Sequence, residues 1–167
     1  MSFSPVADIA FNKLTDIEPG FLREKGIGLL LLDIDNTVSP YSLDEPTKEV
    51  VSWVEKMKNG GVELFFVSNN RGERPRMFSE KLGIPYVKKA AKPFRKGVLK
   101  ALEICGKKAE ETALCGDQSF TDVLCANGCG ITSILVQPID LSNPLLALRY
   151  FAELPFRKAA KTDFREK

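Results

Sequence analysis

The sequence contains no histidine. That absence excludes serine–histidine and cysteine–histidine hydrolases, a phosphohistidine route, and any zinc site that needs imidazole. Acid–base work near neutral pH must then fall to carboxylates, lysine, tyrosine or metal-bound water. Cysteine is scarce. Cys105, Cys115, Cys125 and Cys129 make no CxxC pair, so free, reduced thiols are expected rather than a metal site or a disulfide framework. Long apolar runs are missing as well, and the aliphatic stretch at 29–32 is far too short to span a bilayer. Residues 1–14 carry Asp8 and lack a basic start followed by an apolar block, which does not read as a signal peptide. A cytoplasmic protein is expected. No repeat or low-complexity segment occurs, and a net charge of +2 singles out no class of partner.

What is present is an ordinary globular balance over 167 residues, 44% hydrophobic and 28% charged, enough to bury a core without staples. One domain over 1–167 is expected, with a core at about 26–140 and a C-terminal helix and charged tail at 141–167. A short helix at 16–25 precedes an apolar run at 28–32, the pattern of a strand buried on both faces. Helices are predicted at 46–58, 72–82, 94–105 and 119–127, the last closed by Gly128. Strands are predicted between them at 62–67, 84–87, 111–115 and 131–136. Val50, Val51, Trp53, Val54 and Met57 form one inward stripe, and Val98, Leu99, Ala101 and Leu102 another. The alternation predicts an α/β three-layer Rossmann-like sandwich around a mainly parallel five-stranded sheet. A last helix is predicted at 145–154, capped by Asn143-Pro144, with a frayed tail at 157–167.

In an open parallel sheet, ligands bind beyond the carboxyl ends of the strands. Asp33, Asp35 and Thr37 follow the first apolar run, Ser68 and Asn69 the second, Lys92 the third, and Asp117 and Asp122 the fourth. Hard oxygen donors suit magnesium, and Asp33, Asp117 and the backbone carbonyl of Asp35 are the candidate ligands. The ion would offset repulsion between an anionic nucleophile and a phosphate ester, with Lys92 as a second positive charge. The Ser68 hydroxyl and loop amides can hold phosphoryl oxygens, which puts Thr37, Ser68, Asn69 and Lys92 in a substrate-binding set. Two aspartates one residue apart can divide the work. Asp33 attacks; Asp35 protonates the leaving oxygen and later deprotonates water.

Asp33-Ile34-Asp35-Asn36-Thr37-Val38 resembles motif I of the haloacid dehalogenase superfamily. Val67-Ser68-Asn69-Asn70 resembles motif II, Lys92-Pro93 motif III, and Gly116-Asp117 through Thr121-Asp122 motif IV. The segment before motif I, the Asn-Thr ending of that motif, Gly116-Asp117-Gln118 and Asn143-Pro144 resemble the YqeG-type, subclass IIIA branch, which is similar to mitochondrial phosphatidylglycerophosphate phosphatases. The resemblance implies Asp33 as nucleophile, Asp35 as general acid–base, Asp117 as metal ligand, and Asp122 as a second acidic position near the metal or lysine. Both points at which such proteins insert a cap are short here, so a capless enzyme is expected, suited to a large or surface-presented phosphate ester. Phosphatidylglycerophosphate is the substrate this resemblance implies. A soluble sugar or nucleotide phosphate, a phosphoprotein, and a non-catalytic phosphate-binding scaffold stand as alternatives.

Residues 71–100 hold ten lysines and arginines against Glu73 and Glu80, which reads as an electropositive funnel for phosphate or anionic headgroups, or as a solvated face. Little aromatic interleaving argues against nucleic acid. The stripe Leu145, Leu146, Leu148, Phe151 and Leu154 is expected to pack on the sheet, with peripheral contact at the inner face of a membrane as the competing reading. The oligomeric state is open.

Overall fold

The computed structural model describes residues 3–165. Its centre is β2 (Leu29–Leu32), four leucines buried on both faces. The strands in chain order are β1 (Ile9–Ala10), β2, β3 (Glu63–Val67), β4 (Tyr86–Val87), β5 (Thr112–Gly116), β6 (Thr132–Leu135) and β7 (Thr162–Asp163). They form one seven-stranded sheet in the order β4-β3-β2-β5-β6-β1-β7. Every pairing is parallel, with Leu32 opposite Phe66 on one side and Cys115 on the other.

Alternation sorts each strand into two cores. Leu30, Leu32, Leu64, Phe66 and Cys115 pack on one face with Trp53, Val54 and Met57 of α2 (Lys48–Asn59) and Phe78 of α3 (Arg74–Leu82). The short α1 (Pro19–Glu24) lies on this side through Leu22. Leu29, Leu31, Phe65, Val67 and Leu114 pack on the other face with Val98 and Ala101 of α4 (Lys96–Cys105) and Cys125 and Ala126 of α5 (Leu124–Cys129). The three-layer sandwich predicted from the alternation of elements is therefore present.

Local signals explain the element ends. The Thr47 hydroxyl accepts from the Val50 N–H, while Lys56 and Lys58 sit at the negative end of the α2 dipole. Gly83 closes α3 in the left-handed region, at φ 60°. The four cysteines are free, as expected. Among the described residues no helix is long and apolar enough to cross a membrane.

Several expectations need correction. The sheet has seven strands rather than five, because β1 and β7 add an edge beyond β6. Each is two residues long, too short for an alternation pattern to register. The tail is not frayed where it is described: β7 pairs with β1, and Phe164 stacks on Phe11 with ring centroids 4.9 Å apart. Residues 166–167 of the predicted tail lie outside the described residues. Val51 and Leu99 face solvent rather than the core. The predicted helix at 119–127 starts as a wider π-helical turn, Ser119–Val123, and closes at Gly130 instead of Gly128.

The largest correction concerns α6 (Pro144–Lys158), which runs through Pro155. Its apolar stripe is split: Leu146 and Leu154 are half-buried, but Leu145, Leu148 and Phe151 are 76%, 67% and 63% exposed. The helix buries Glu153 and Arg157 instead, each 1% exposed.

Candidate active site

The site forms at the carboxyl ends of β2, β3 and β5. Asp33 still belongs to the ladder, its N–H donating to the Cys115 carbonyl at 2.9 Å. Beyond it the chain turns sharply. The Ile34 carbonyl accepts from the N–H groups of Thr37, Val38 and Ser39, and Asn36 takes a positive φ of 63°. Asparagine tolerates that region better than most residues. Its amide also exchanges two hydrogen bonds with the Asp140 backbone, at 2.7 and 2.8 Å, tying this turn to the loop after β6.

The turn leaves Asp33, Asp35 and Thr37 buried but differently engaged. Asp33 accepts from the Lys92 ammonium at 2.7 Å. Asp35 faces away from that pair. Arg74 Nε donates to it at 2.7 Å and Asn70 Nδ2 at 3.1 Å. The Thr37 hydroxyl donates to Asp117 Oδ1 at 3.2 Å. Ser68 is fully buried, and its oxygen accepts the Asn70 N–H at 3.1 Å. Asn69 spends both ends of its amide on the Lys92 backbone, at 2.8 and 2.9 Å. In this arrangement Thr37 orients Asp117 and Asn69 braces Lys92.

Asp117 begins the loop after β5, and the π-helical turn carries Asp122 back toward it. Gly116 makes this possible: a Cβ there would lie 2.2 Å from Asp122 Cγ. Asp122 accepts from the Gln118 N–H at 3.1 Å and pairs with the Lys92 ammonium at 2.7 Å. Oxygens of Asp33, Asp117 and Asp122 all lie within 4.8 Å of one another. Three buried carboxylates thus crowd around one ammonium, which pairs with Asp33 and Asp122.

The electrostatics follow from that imbalance. Burial pushes Asp33 up to about 7, although Lys92 pulls it down. Burial, then the charges of Asp122 and Asp33, holds Asp117 well above the usual carboxylate range. For Lys92, burial works against the ammonium, but Asp122 and Asp33 outweigh it and keep it above the usual lysine value. A cluster of buried hard oxygens with excess negative charge fits a divalent cation. Tyr41, at the mouth, is pushed up to about 12 by burial and by Asp35, Asp117 and Asp33, so its hydroxyl stays a donor.

Two supports escaped the sequence reading. Arg74 pairs with Asp35 and also donates to the carbonyls of Pro40 (2.7 Å) and Leu43, clasping the loop at 39–44 onto α3. Glu153 of α6 accepts from the N–H groups of Ser119 and Phe120 at 3.0 Å each, while Arg157 donates to the Asp117 carbonyl at 2.6 Å and the Val136 carbonyl at 2.7 Å. The last helix therefore grips the backbone of the Asp117–Asp122 loop. No hydropathy signal marked either, though a basic residue six positions after Ser68 could have been tested as a partner for Asp35.

The family model for mitochondrial PGP phosphatase matches residues 3–139. A relative from Bacillus subtilis (strain 168), named "Probable phosphatase YqeG", is 38% identical over 127 residues, 76% of this chain and 74% of that protein. Among solved structures, a haloacid dehalogenase superfamily subfamily IIIA hydrolase from Legionella pneumophila aligns with TM-score 0.56 at 18% identity, covering 90% of this chain and 81% of that one. A 3-deoxy-D-manno-octulosonate 8-phosphate phosphatase from Moraxella catarrhalis, in complex with magnesium, phosphate and KDO, aligns with TM-score 0.53 at 14% identity, covering 86% and 80%. These two structures share the fold.

Proposed function

The chain belongs to the mitochondrial PGP phosphatase family of the haloacid dehalogenase superfamily, and on that basis we propose that this phosphatase works through an aspartyl phosphate on Asp33. The observation that carries the reading is the placement of Asp33 at the end of the central strand, 2.7 Å from Lys92 and within 4.8 Å of Asp117 and Asp122. Asp33, Asp117 and the Asp35 carbonyl would hold magnesium, which when bound supplies positive charge against the carboxylates and the phosphate.

In the first half-reaction an Asp33 oxygen bonds to phosphorus as the ester P–O bond breaks. Asp35 gives its proton to the departing alcohol oxygen. In the second, water attacks phosphorus and loses a proton to Asp35. The bond to Asp33 breaks, and phosphate and the free carboxylate result. Lys92 lies against Asp33 and screens the approach of the anionic ester. Asp122 holds Lys92 from the other side. Arg74 and Asn70 fix the direction of the Asp35 carboxylate.

The substrate we propose is phosphatidylglycerophosphate. Family membership supports it, as does the open site: among the described residues only the loop at 33–47 separates β2 from α2, and only α3 and β4 occupy the second cap position. The exposed Leu145, Leu148 and Phe151 lie on the helix that braces the Asp117 loop, where an apolar surface suits a lipid-presented ester. The test compares Asp33→Asn with the unaltered protein on the lipid in mixed micelles and on soluble phosphates, with magnesium. Loss of all turnover and preference for the lipid are expected. Near-normal turnover by Asp33→Asn overturns the mechanism, and equal turnover of soluble phosphates overturns the substrate.

A further inference from the structure

Of the ten cations at 71–100, five form ion pairs that the structure shows directly. Arg74 pairs with Asp35, Arg76 with Glu73 and Glu80, Lys81 with Glu45, Lys88 with Glu73, and Lys92 with Asp33 and Asp122. Arg71 and Lys89 make no ion pair among the described residues. Both line one cavity of about 280 Å³, together with Asn69, Ala91, Lys92 and Phe94. Lys92, which reaches Asp33 at 2.7 Å, links this cavity to the site, and Asn69 braces it.

The cavity is built by a constrained loop. Lys89 and Ala91 both take positive φ, 55° and 59°, a region sparsely populated by residues with a Cβ. Contacts with the loop after β3 hold them there: the Lys89 N–H donates to the Asn70 carbonyl at 3.2 Å and the Ala90 N–H to the Ser68 carbonyl at 3.0 Å. Lys89 and Arg71 thus reach the same cavity from separate segments. Unpaired cations around a concave surface attract anions, and a guanidinium matches phosphate oxygens in two-pronged fashion. Phe94, 73% exposed at the rim, adds an apolar shelf.

We infer that Arg71 and Lys89 form a second anion subsite, which selects phosphate monoesters carrying a further phosphate group a few bonds from the one removed. The inference rests on the phosphatase reading above and gives it a specificity element. A lipid phosphodiester and the second phosphate of a soluble bisphosphate share this chemistry.

Three substrates separate the cases: p-nitrophenyl phosphate with one phosphate, fructose 1,6-bisphosphate with a soluble second one, and monomeric dihexanoyl phosphatidylglycerophosphate with a phosphodiester. The readout is kcat/KM for each two-phosphate substrate divided by that for the aryl phosphate. R71A/K89A should lower this ratio roughly tenfold or more, mainly through KM. R76A/K81A, which removes paired cations outside the cavity, should leave it unchanged. A fall confined to the lipid assigns the subsite to a phosphodiester, and a fall shared with the bisphosphate assigns it to phosphate in general. An unchanged ratio, or an equal fall in R76A/K81A, overturns the inference. Should the double variant not fold, Arg71→Gln and Lys89→Gln singly should each lower the ratio. Turnover by Asp33→Asn bears on the aspartyl-phosphate step alone, so failure of one proposal is not mistaken for failure of the other.

Discussion

Among the described residues, charge is buried in two places, and the two differ in balance. At the strand ends, Asp33, Asp117 and Asp122 crowd together, and Lys92 pairs with Asp33 and Asp122 alone. Under α6, Glu153 faces Arg157 at 3.5 Å, and each is further satisfied by backbone of the Ser119–Phe120, Asp117 and Val136 segments. The first set carries more negative charge than it can neutralise, which is unfavourable unless a cation or a reaction requires it. The second is neutral and hydrogen-bonded on both sides, which is how a buried ion pair serves as scaffold. Excess marks the place where chemistry is expected, and balance marks what holds it in place.

Substitution should break the comparison cleanly. Asp33→Asn should lower turnover roughly a thousandfold or more, a transition-state loss of about 4 kcal/mol. The same change should raise the melting temperature of the metal-free protein, because it removes one of three crowded carboxylates. Arg157→Met should do the reverse at the other location. It strands Glu153 as an uncompensated buried charge at a cost of about 3–5 kcal/mol, read as a fall in melting temperature of roughly 10 °C. If Asp33→Asn destabilises the metal-free fold as Arg157→Met does, the distinction between excess and balance is wrong.

The difference also explains what could be read in advance. Asp33, Asp35 and Asp117 were visible because each breaks an apolar strand at its carboxyl end, where topology puts ligands. The α6 pair was not, because its burial depends on backbone groups of a distant loop that hydropathy cannot see. For the same reason Leu145, Leu148 and Phe151 of α6 were assigned to the core when they lie in solvent. Thr37 and Asn69 were recognised as members of the site, but their direction, toward Asp117 and toward the Lys92 backbone, emerges only in three dimensions. The two strands beyond β6 were lost to brevity.

Magnesium should sharpen the contrast further. A ligand that binds only the folded state stabilises it by about 2.7 kcal/mol at a hundredfold excess over its Kd. A thermal shift with magnesium, reversed by chelator, is expected for the unaltered protein and for R157M, and it should be much reduced in Asp33→Asn. An undiminished shift in Asp33→Asn would place the ion elsewhere.

The metal-free protein should also show an inverted pH response. Asp33 has a folded value of about 7, above its unfolded value, so between about 4 and 7 the folded state binds the extra proton. Its contribution to stability is therefore greatest at low pH and is lost as pH rises through 7, with a slope of up to about 1.4 kcal/mol per pH unit in that window. Denaturant melts at pH 5 and 7.5 check the sign. Asp33→Asn should flatten the slope, and magnesium, which favours the ionised carboxylate, should oppose it.

The smallest effect belongs to Arg74, which tests where the comparison ends. Its pair with Asp35 is balanced, like that under α6, yet it lies in the site, like the carboxylate cluster. If balance means scaffold alone, Arg74→Gln should lower stability and leave the kinetics of the folded fraction untouched. The geometry argues otherwise. The Nε contact at 2.7 Å fixes the carboxylate to which the proposed mechanism assigns both proton transfers, while the rest of the guanidinium holds the loop at 39–44. Arg74→Gln should therefore reduce kcat by roughly tenfold and alter the pH–rate profile, with KM for p-nitrophenyl phosphate little changed. Arg74→Lys restores the charge but not the fork, so it should recover only part of the loss. Full recovery would show that charge alone orients Asp35.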